Sequence, residues 1–235
     1  MPCAVFLGMR FLLLFFLLDP LLLISQEYLS YKVEPGENPN VVLPVSARYS
    51  YNEFKPGAVL MSTGVTSRAQ LNYNHLYGQM QFLKTGDTLY VSNVDDVKYV
   101  AVGTDTFYYQ KYWLRQIACS GKIRLAEHKM LDYANNEKMG PYGGKSPGAV
   151  ERVQSIDVVG AIDKNYIARE VLIFVERNSY YFSDRFGRYV PANKKNILDV
   201  FGKSTPGLEK YLSDAKPVYT RREDMLALLD QLKSQ

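Results

Sequence analysis

From Gly57 to about Leu125, apolar and polar residues alternate, the spacing at which successive side chains of an extended strand fall on opposite faces. The alternation is clearest at Ala69, Leu71 and Tyr73 and again at Leu76, Gly78, Met80 and Phe82. Gln70, Asn72, Gln79 and Gln81 stand between them, which predicts a sheet with one face buried and the other wet. Turn-forming groups at Thr85-Gly86-Asp87, Asn93 to Asp96 and Gly103-Thr104-Asp105 cut the stretch into short pieces. Connections this short join antiparallel neighbours, so the expectation is an antiparallel meander of about seven strands, closed as a barrel or left as an open curved sheet.

The segment before this sheet has a different physical character. Phe11 to Ile24 is an almost unbroken apolar run preceded by Arg10, the anatomy of an export signal. A membrane-spanning helix needs about 20 apolar residues, whereas this run is shorter and contains Asp19 and Pro20. Residues 1–25 are therefore expected to act as a signal peptide that meets a membrane only before cleavage. The mature chain is expected outside the cytoplasm, periplasmic or secreted. Residues 26–48 carry Pro35, Gly36, Pro39 and Pro44 and read as an extended lead-in with no helix.

A β-rich domain is expected over residues 49–190. Trp113 to Cys119, Gly121 to Leu125, Val171 to Val175 and Ser179 to Phe182 supply further strands, the last two separated by Glu176-Arg177-Asn178. Within the domain, residues 133–150 are rich in Asn, Gly and Pro and read as a flexible loop. Residues 191–235 then read as helices packed on the sheet. Asn193 caps a first helix with Ile197, Leu198 and Phe201 on one face and Gly202 as its stop. Thr205-Pro206 begins a second, with Leu208, Tyr211 and Leu212 on one side. Thr220 and Glu223 form a capping box before Met225, Leu228, Leu229 and Leu232. The fold class is thus mainly β with an α-helical C-terminal tail.

Several chemistries lack support. Beyond the apolar run the only cysteine is Cys119, so the mature chain forms no internal disulfide, and Cys119 is expected as a small core residue. The net charge of +4 comes from Lys and Arg scattered among Asp and Glu, without the basic stripe of a nucleic-acid binder. His75 and His128 have no second His or Cys at metal-ligand spacing, and no cofactor is implied. Gly144-Lys145-Ser146 has Met139 where a phosphate-binding loop requires glycine, and Pro147 follows it. No Gly-x-Ser-x-Gly elbow occurs, and Ser62 and Ser92 have no base that spacing identifies. His75 lies in the polar run Asn72 to His75, and Asp87, Asp95 and Asp96 lie at expected hairpins, so turn roles account for them. No residue is assigned a catalytic role.

The chain has 19 tyrosines, and Phe107, Tyr108, Tyr109, Tyr112 and Trp113 are concentrated in a short stretch. Aromatic faces on a sheet can stack on sugars or peptides, and they also pack well between strands. These five residues, with Tyr142 in the Gly-Pro loop, are the candidate ligand contacts. The expected partner is a cell-envelope protein or glycan.

Phe54-Lys-Pro-Gly57, Ala69-Gln-Leu-Asn-Tyr-Asn74, Gly78-Gln-Met-Gln-Phe82 and Gly86-Asp-Thr-Leu89 resemble a group of uncharacterised exported proteins of Bacteroidota. The resemblance runs from about Phe54 to the C-terminus and includes Pro141-Tyr-Gly-Gly144 and Thr220-Arg-Arg-Glu-Asp-Met-Leu226. It implies export and a β-rich body with a helical tail, and it carries over no catalytic or ligand residue. The leading expectation is an exported, non-enzymatic binding or structural module of the cell envelope. The alternative is an extracytoplasmic hydrolase with a dispersed site, in which a cleft gathers His75 or His128 with carboxylates.

Overall fold

In the computed structural model, which describes residues 29–134 and 165–232, the dominant element is one open antiparallel sheet. Its eleven strands are β1 (Ser30–Val33), β2 (Lys55–Met61), β3 (Thr66–Asn74), β4 (Gln79–Lys84), β5 (Asp87–Tyr90), β6 (Val97–Val102), β7 (Asp105–Gln110), β8 (Tyr112–Ser120), β9 (Ile123–Ala134), β10 (Leu172–Ser183) and β11 (Tyr189–Pro191). The order across the sheet is β1-β10-β9-β8-β7-β6-β2-β3-β4-β5, with β11 also paired to β10. The chain therefore builds two meanders, β2 to β5 and β6 to β10, where one was expected. They join because β2 pairs with β6. Gly57 makes that join possible, since a Cβ there would lie 2.4 Å from the Ala101 carbonyl oxygen and 2.8 Å from Leu71 Cδ1.

Three expectations about local structure are corrected. The lead-in contains β1 and two single-turn helices, α1 (Pro39–Val42) and α2 (Val45–Arg48). Asn38 accepts a hydrogen bond from the Asn40 amide and Pro39 opens the turn, so the proline-rich composition starts helices here. The segment expected to separate two strands, Glu176 to Asn178, lies inside the continuous twelve-residue β10. Glu176 and Arg177 are held there by ion pairs to Lys129 and Asp132 of β9, at 2.7 and 2.8 Å. The polar face of β3 and β4 is not uniformly wet, because Asn72, Asn74 and Gln81 are buried. Asn72 exchanges hydrogen bonds with the backbone of Tyr51, and Gln81 accepts from the Tyr49 hydroxyl and from Asn74 Nδ2. These amides tie residues 49–51 alongside β3, taking the place of water.

The C-terminal helices are α3 (Lys194–Phe201), α4 (Leu208–Ala215) and α5 (Arg222–Gln231). Asn193 caps α3 through the Asn196 amide, as its position predicts. The other two starts differ from expectation. Gly207, in the left-handed region, precedes α4, because the Leu208 amide bonds back to the Thr205 carbonyl and the helix starts two residues late. At α5 the Asp224 carboxylate accepts from the Val218 amide and from Arg221, and no Thr220–Glu223 box forms. The apolar faces behave as predicted: Ile197, Phe201, Leu208, Leu212, Met225, Leu228, Leu229 and Leu232 pack on Leu125, Tyr180 and Phe182.

Along β9, alternate residues point to the face that carries the helices. Leu125 lies under the helices, while Leu131 and Tyr133 pack with Val33, Leu43, Ala47 and Leu76 near the N-terminal turns. Between these apolar ends the same face presents Glu127 and Lys129. Tyr133 and Ala134, expected to open the loop of residues 133–150, belong to β9, and residues 135–150, with Tyr142, lie outside the described residues, as does the apolar run near the N-terminus. Truncating Leu228 to alanine should destabilise the fold by about 2–5 kcal/mol, since the side chain is fully enclosed. Gly57→Ala should lose about 1–3 kcal/mol through overpacking. Urea unfolding of both variants against Ser62→Ala, an exposed site, measures these effects.

Candidate functional site

The charged break in the apolar face of β9 is matched on its neighbours. Arg115 of β8 lies beside Glu127 and is bonded to its carboxylate through Nε, at 3.0 Å, and through Nη2. Arg115 Nη1 is 3.5 Å from Asp105 Oδ2, and the Tyr51 hydroxyl donates to that same oxygen. From the far side, Arg222 of α5 reaches the second oxygen of Glu127 at 3.3 Å. Lys129 pairs with Glu176 at 2.7 Å. Burial disfavours the Arg115 charge, but the Glu127 carboxylate outweighs it and holds the guanidinium pKa above its usual value. Burial and the Asp105 carboxylate push the Tyr51 hydroxyl well up, so it remains a donor.

A cavity of about 90 Å³ opens over this network. Its wall combines Phe107 and Trp113, the charges of Arg115, Glu127 and Lys129, Tyr73 and His75 at the end of β3, and Ser46 of α2 with Tyr49 and Ser50 from the segment after it. The backbone brings the last two groups together: the Ser50 amide bonds to the Tyr73 carbonyl, and the His75 amide bonds to the Arg48 carbonyl.

His75 is held at both ring nitrogens. Nδ1 is 3.1 Å from the Ala47 carbonyl oxygen, and Nε2 is 2.9 Å from Ser50 Oγ. A carbonyl only accepts, so Nδ1 carries the hydrogen and Nε2 accepts from the serine hydroxyl. Burial, then the positive charge of Lys129, lower the imidazole pKa to about 3, against the opposing hydrogen bond to the Ala47 carbonyl. The ring is therefore neutral at physiological pH. Tyr73 packs edge-on against it, with centroids 5.4 Å apart. The Tyr73 hydroxyl is buried, has no hydrogen-bond partner among the described residues, and is pushed up in pKa by burial alone.

The aromatic candidates divide between the two faces of the sheet. Phe107 and Trp113 are buried in the cavity wall, and Tyr109 packs against Trp113. Tyr108 and Tyr112 project to the opposite face, where Tyr108 meets Tyr189 and Tyr112 stacks on His128 at 4.7 Å. They do not make one exposed platform, because adjacent residues of a strand point in opposite directions. His128 bonds to the Trp113 carbonyl and takes no part in the cavity. Ser62 and Ser92 are exposed, and Asn74 forms the expected turn by accepting from the Leu76 and Tyr77 amides. Cys119 is exposed, which corrects its reading as a core residue. It sits near the end of β8, after a register shift between Gln116 and Ala118, where strand alternation is interrupted. Among the described residues no three His, Cys, Asp or Glu side chains gather as metal ligands.

Sequence reasoning missed Ser50, Arg115, Glu127 and Lys129. The interruption of β9 by charges was a usable signal for the last two; no spacing links Ser50 to His75. No protein-family model, curated protein or solved structure matches the chain. A histidine neutral in the fold and near 6.5 when unfolded makes the unfolded chain bind the extra proton between about pH 6.5 and 3. Stability should therefore fall as pH drops through that window, by up to about 1.4 kcal/mol per pH unit. Chemical unfolding at stepped pH checks this, and His75→Gln should flatten the slope.

Proposed function

We propose that this chain is an exported binding module of the cell envelope that holds a small polar group in the cavity bounded by Ser50, Tyr73, His75 and Arg115. The observation that carries the reading is the Tyr73 hydroxyl, buried in the cavity wall with no hydrogen-bond partner among the described residues. Such a group destabilises a fold by about 1–3 kcal/mol unless something bonds to it, and a ligand entering the cavity supplies that bond. The wall also carries the paired Arg115 and Lys129 cations, backed by the buried Phe107 and Trp113. This favours an acceptor-rich ligand with an apolar face, as in the terminal unit of an envelope glycan. Export is supported by the apolar run Phe11 to Ile24 after Arg10.

Tyr73→Phe distinguishes a binding group from a packing group. The variant should be more stable than the parent without ligand by about 1 kcal/mol, because the unpaired hydroxyl is gone. With glucose, N-acetylglucosamine and glucuronate as probes, at least one should raise the unfolding midpoint of the parent and lose about tenfold in affinity for the variant. If none of the three shifts the midpoint, the glycan reading fails. Expressed from Met1 in a Gram-negative host, the chain should yield an extracytoplasmic product whose intact mass begins near residue 26; an uncleaved cytoplasmic product would remove the export part.

A further inference from the structure

The Ser50–His75 pair has the geometry of a general base poised on a nucleophile, and no binding role requires it. We propose that Ser50 is an acyl-accepting nucleophile and that the cavity takes short acyl groups from activated esters. This rests on the same cavity as the binding reading, but asks for covalent chemistry there.

Three observations support the assignment. The Ser50 hydroxyl donates to Nε2 at 2.9 Å, within the range for proton transfer. The Ala47 carbonyl at Nδ1 fixes the tautomer that leaves Nε2 free to accept, the task a carboxylate performs in other triads. The same cavity wall carries a donor for a developing oxyanion, the Tyr73 hydroxyl without a partner among the described residues, together with the positive charges of Arg115 and Lys129.

In the first step Ser50 Oγ bonds to the acyl carbon while its proton passes to His75 Nε2. The bond from the acyl carbon to the leaving oxygen breaks, and that oxygen takes the proton from Nε2 and departs as the alcohol. Water then attacks the acyl carbon and gives its proton to Nε2. The acid leaves as Ser50 Oγ recovers that proton, so no oxidant, reductant or metal is required.

The environment also narrows the substrate. His75 faces the ring of Tyr73 on β3, Ala47 on α2 and Ser50 after it, Arg115 on β8, and Glu127 and Lys129 on β9, while His128 lies on the other face of the sheet. Burial and the cations of Lys129 and Arg115 keep Nε2 unprotonated but make it a weak base. A weak base deprotonates serine only in part, so attack suits esters with a good leaving group, such as aryl esters, and not amides. The cavity of about 90 Å³ limits the acyl group to a short one.

The test is covalent labelling of the full chain with a small alkyl fluorophosphonate, followed by intact mass and peptide mapping. One adduct should form on the peptide containing Ser50. It should be absent in Ser50→Ala, slowed about 100-fold in His75→Gln, and unchanged in Ser62→Ala and Ser92→Ala. A readout that needs no variant is the pH profile of wild-type labelling, which should stay level from about pH 8 to about pH 5 because Nε2 remains unprotonated. No adduct, an adduct that survives Ser50→Ala, or a rate that falls with a midpoint near 6.5 overturns the proposal. Sugar binding without an adduct would leave the binding reading standing and remove the nucleophile; an adduct without sugar binding would do the reverse.

Discussion

The pairing of β9 with β10 is the interaction on which the rest of the molecule depends. Ten consecutive residue pairs join them, from Ile173 with Ala134 to Phe182 with Leu125. This long ladder gives β1 and β11 their edge to pair with and gives the helices their floor. It also spans two separate apolar clusters, one beneath α3 to α5 and one beneath α1 and α2. A strand long enough to reach both clusters must cross the gap between them, and Glu127 and Lys129 occupy that gap.

Charges in such a gap persist only when each has a partner, because an isolated ion in a low-dielectric site is far costlier than a paired one. The pairing here is complete: Arg115, Lys129 and Arg222 stand against Asp105, Glu127 and Glu176. Each pair joins different elements, so the network links α5 to β9, β9 to β8 and β10, and β8 to β7. Its value lies in register and orientation more than in net stability, since buried ion pairs roughly balance their desolvation. The balance leaves little net charge to attract a ligand from a distance. On the binding reading proposed above, recognition in the cavity would rest instead on a short-range bond to the Tyr73 hydroxyl.

The segment from α2 to β2 closes the cavity. It has little regular structure, and is held by side-chain amides of β3 and β4 and by the bridge between Tyr49 and Asn74. Those amides replace the water that strand alternation leads one to expect on that face. They also place Ser50 beside His75, so the polar character of the outer face of β3 and the assembly of the site share one physical cause.

Local pattern was sufficient for much of the architecture. Alternation over residues 57–125 announced the antiparallel strands, positive-φ glycines such as Gly86 and Gly103 marked their turns, and the spacing of Met225, Leu228, Leu229 and Leu232 marked a helix that docks. Those signals are legible because strand and helix periods are properties of neighbouring residues. Three features depended on the tertiary structure: the pairing of β2 with β6, the continuity of β10 through Glu176 and Arg177, and the meeting of Ser50 with His75. Each is settled by groups far apart in the chain, a glycine accommodating a distant carbonyl, carboxylates finding cations on another strand, and a serine brought to an imidazole by amides of β3 and β4. The sequence by itself determined the antiparallel strands of residues 57–125 and the apolar faces of the C-terminal helices, because those periods are local; only the tertiary structure decided where strands run on and which side chains share a cavity, because contact across a sheet depends on register, and register is a long-range property.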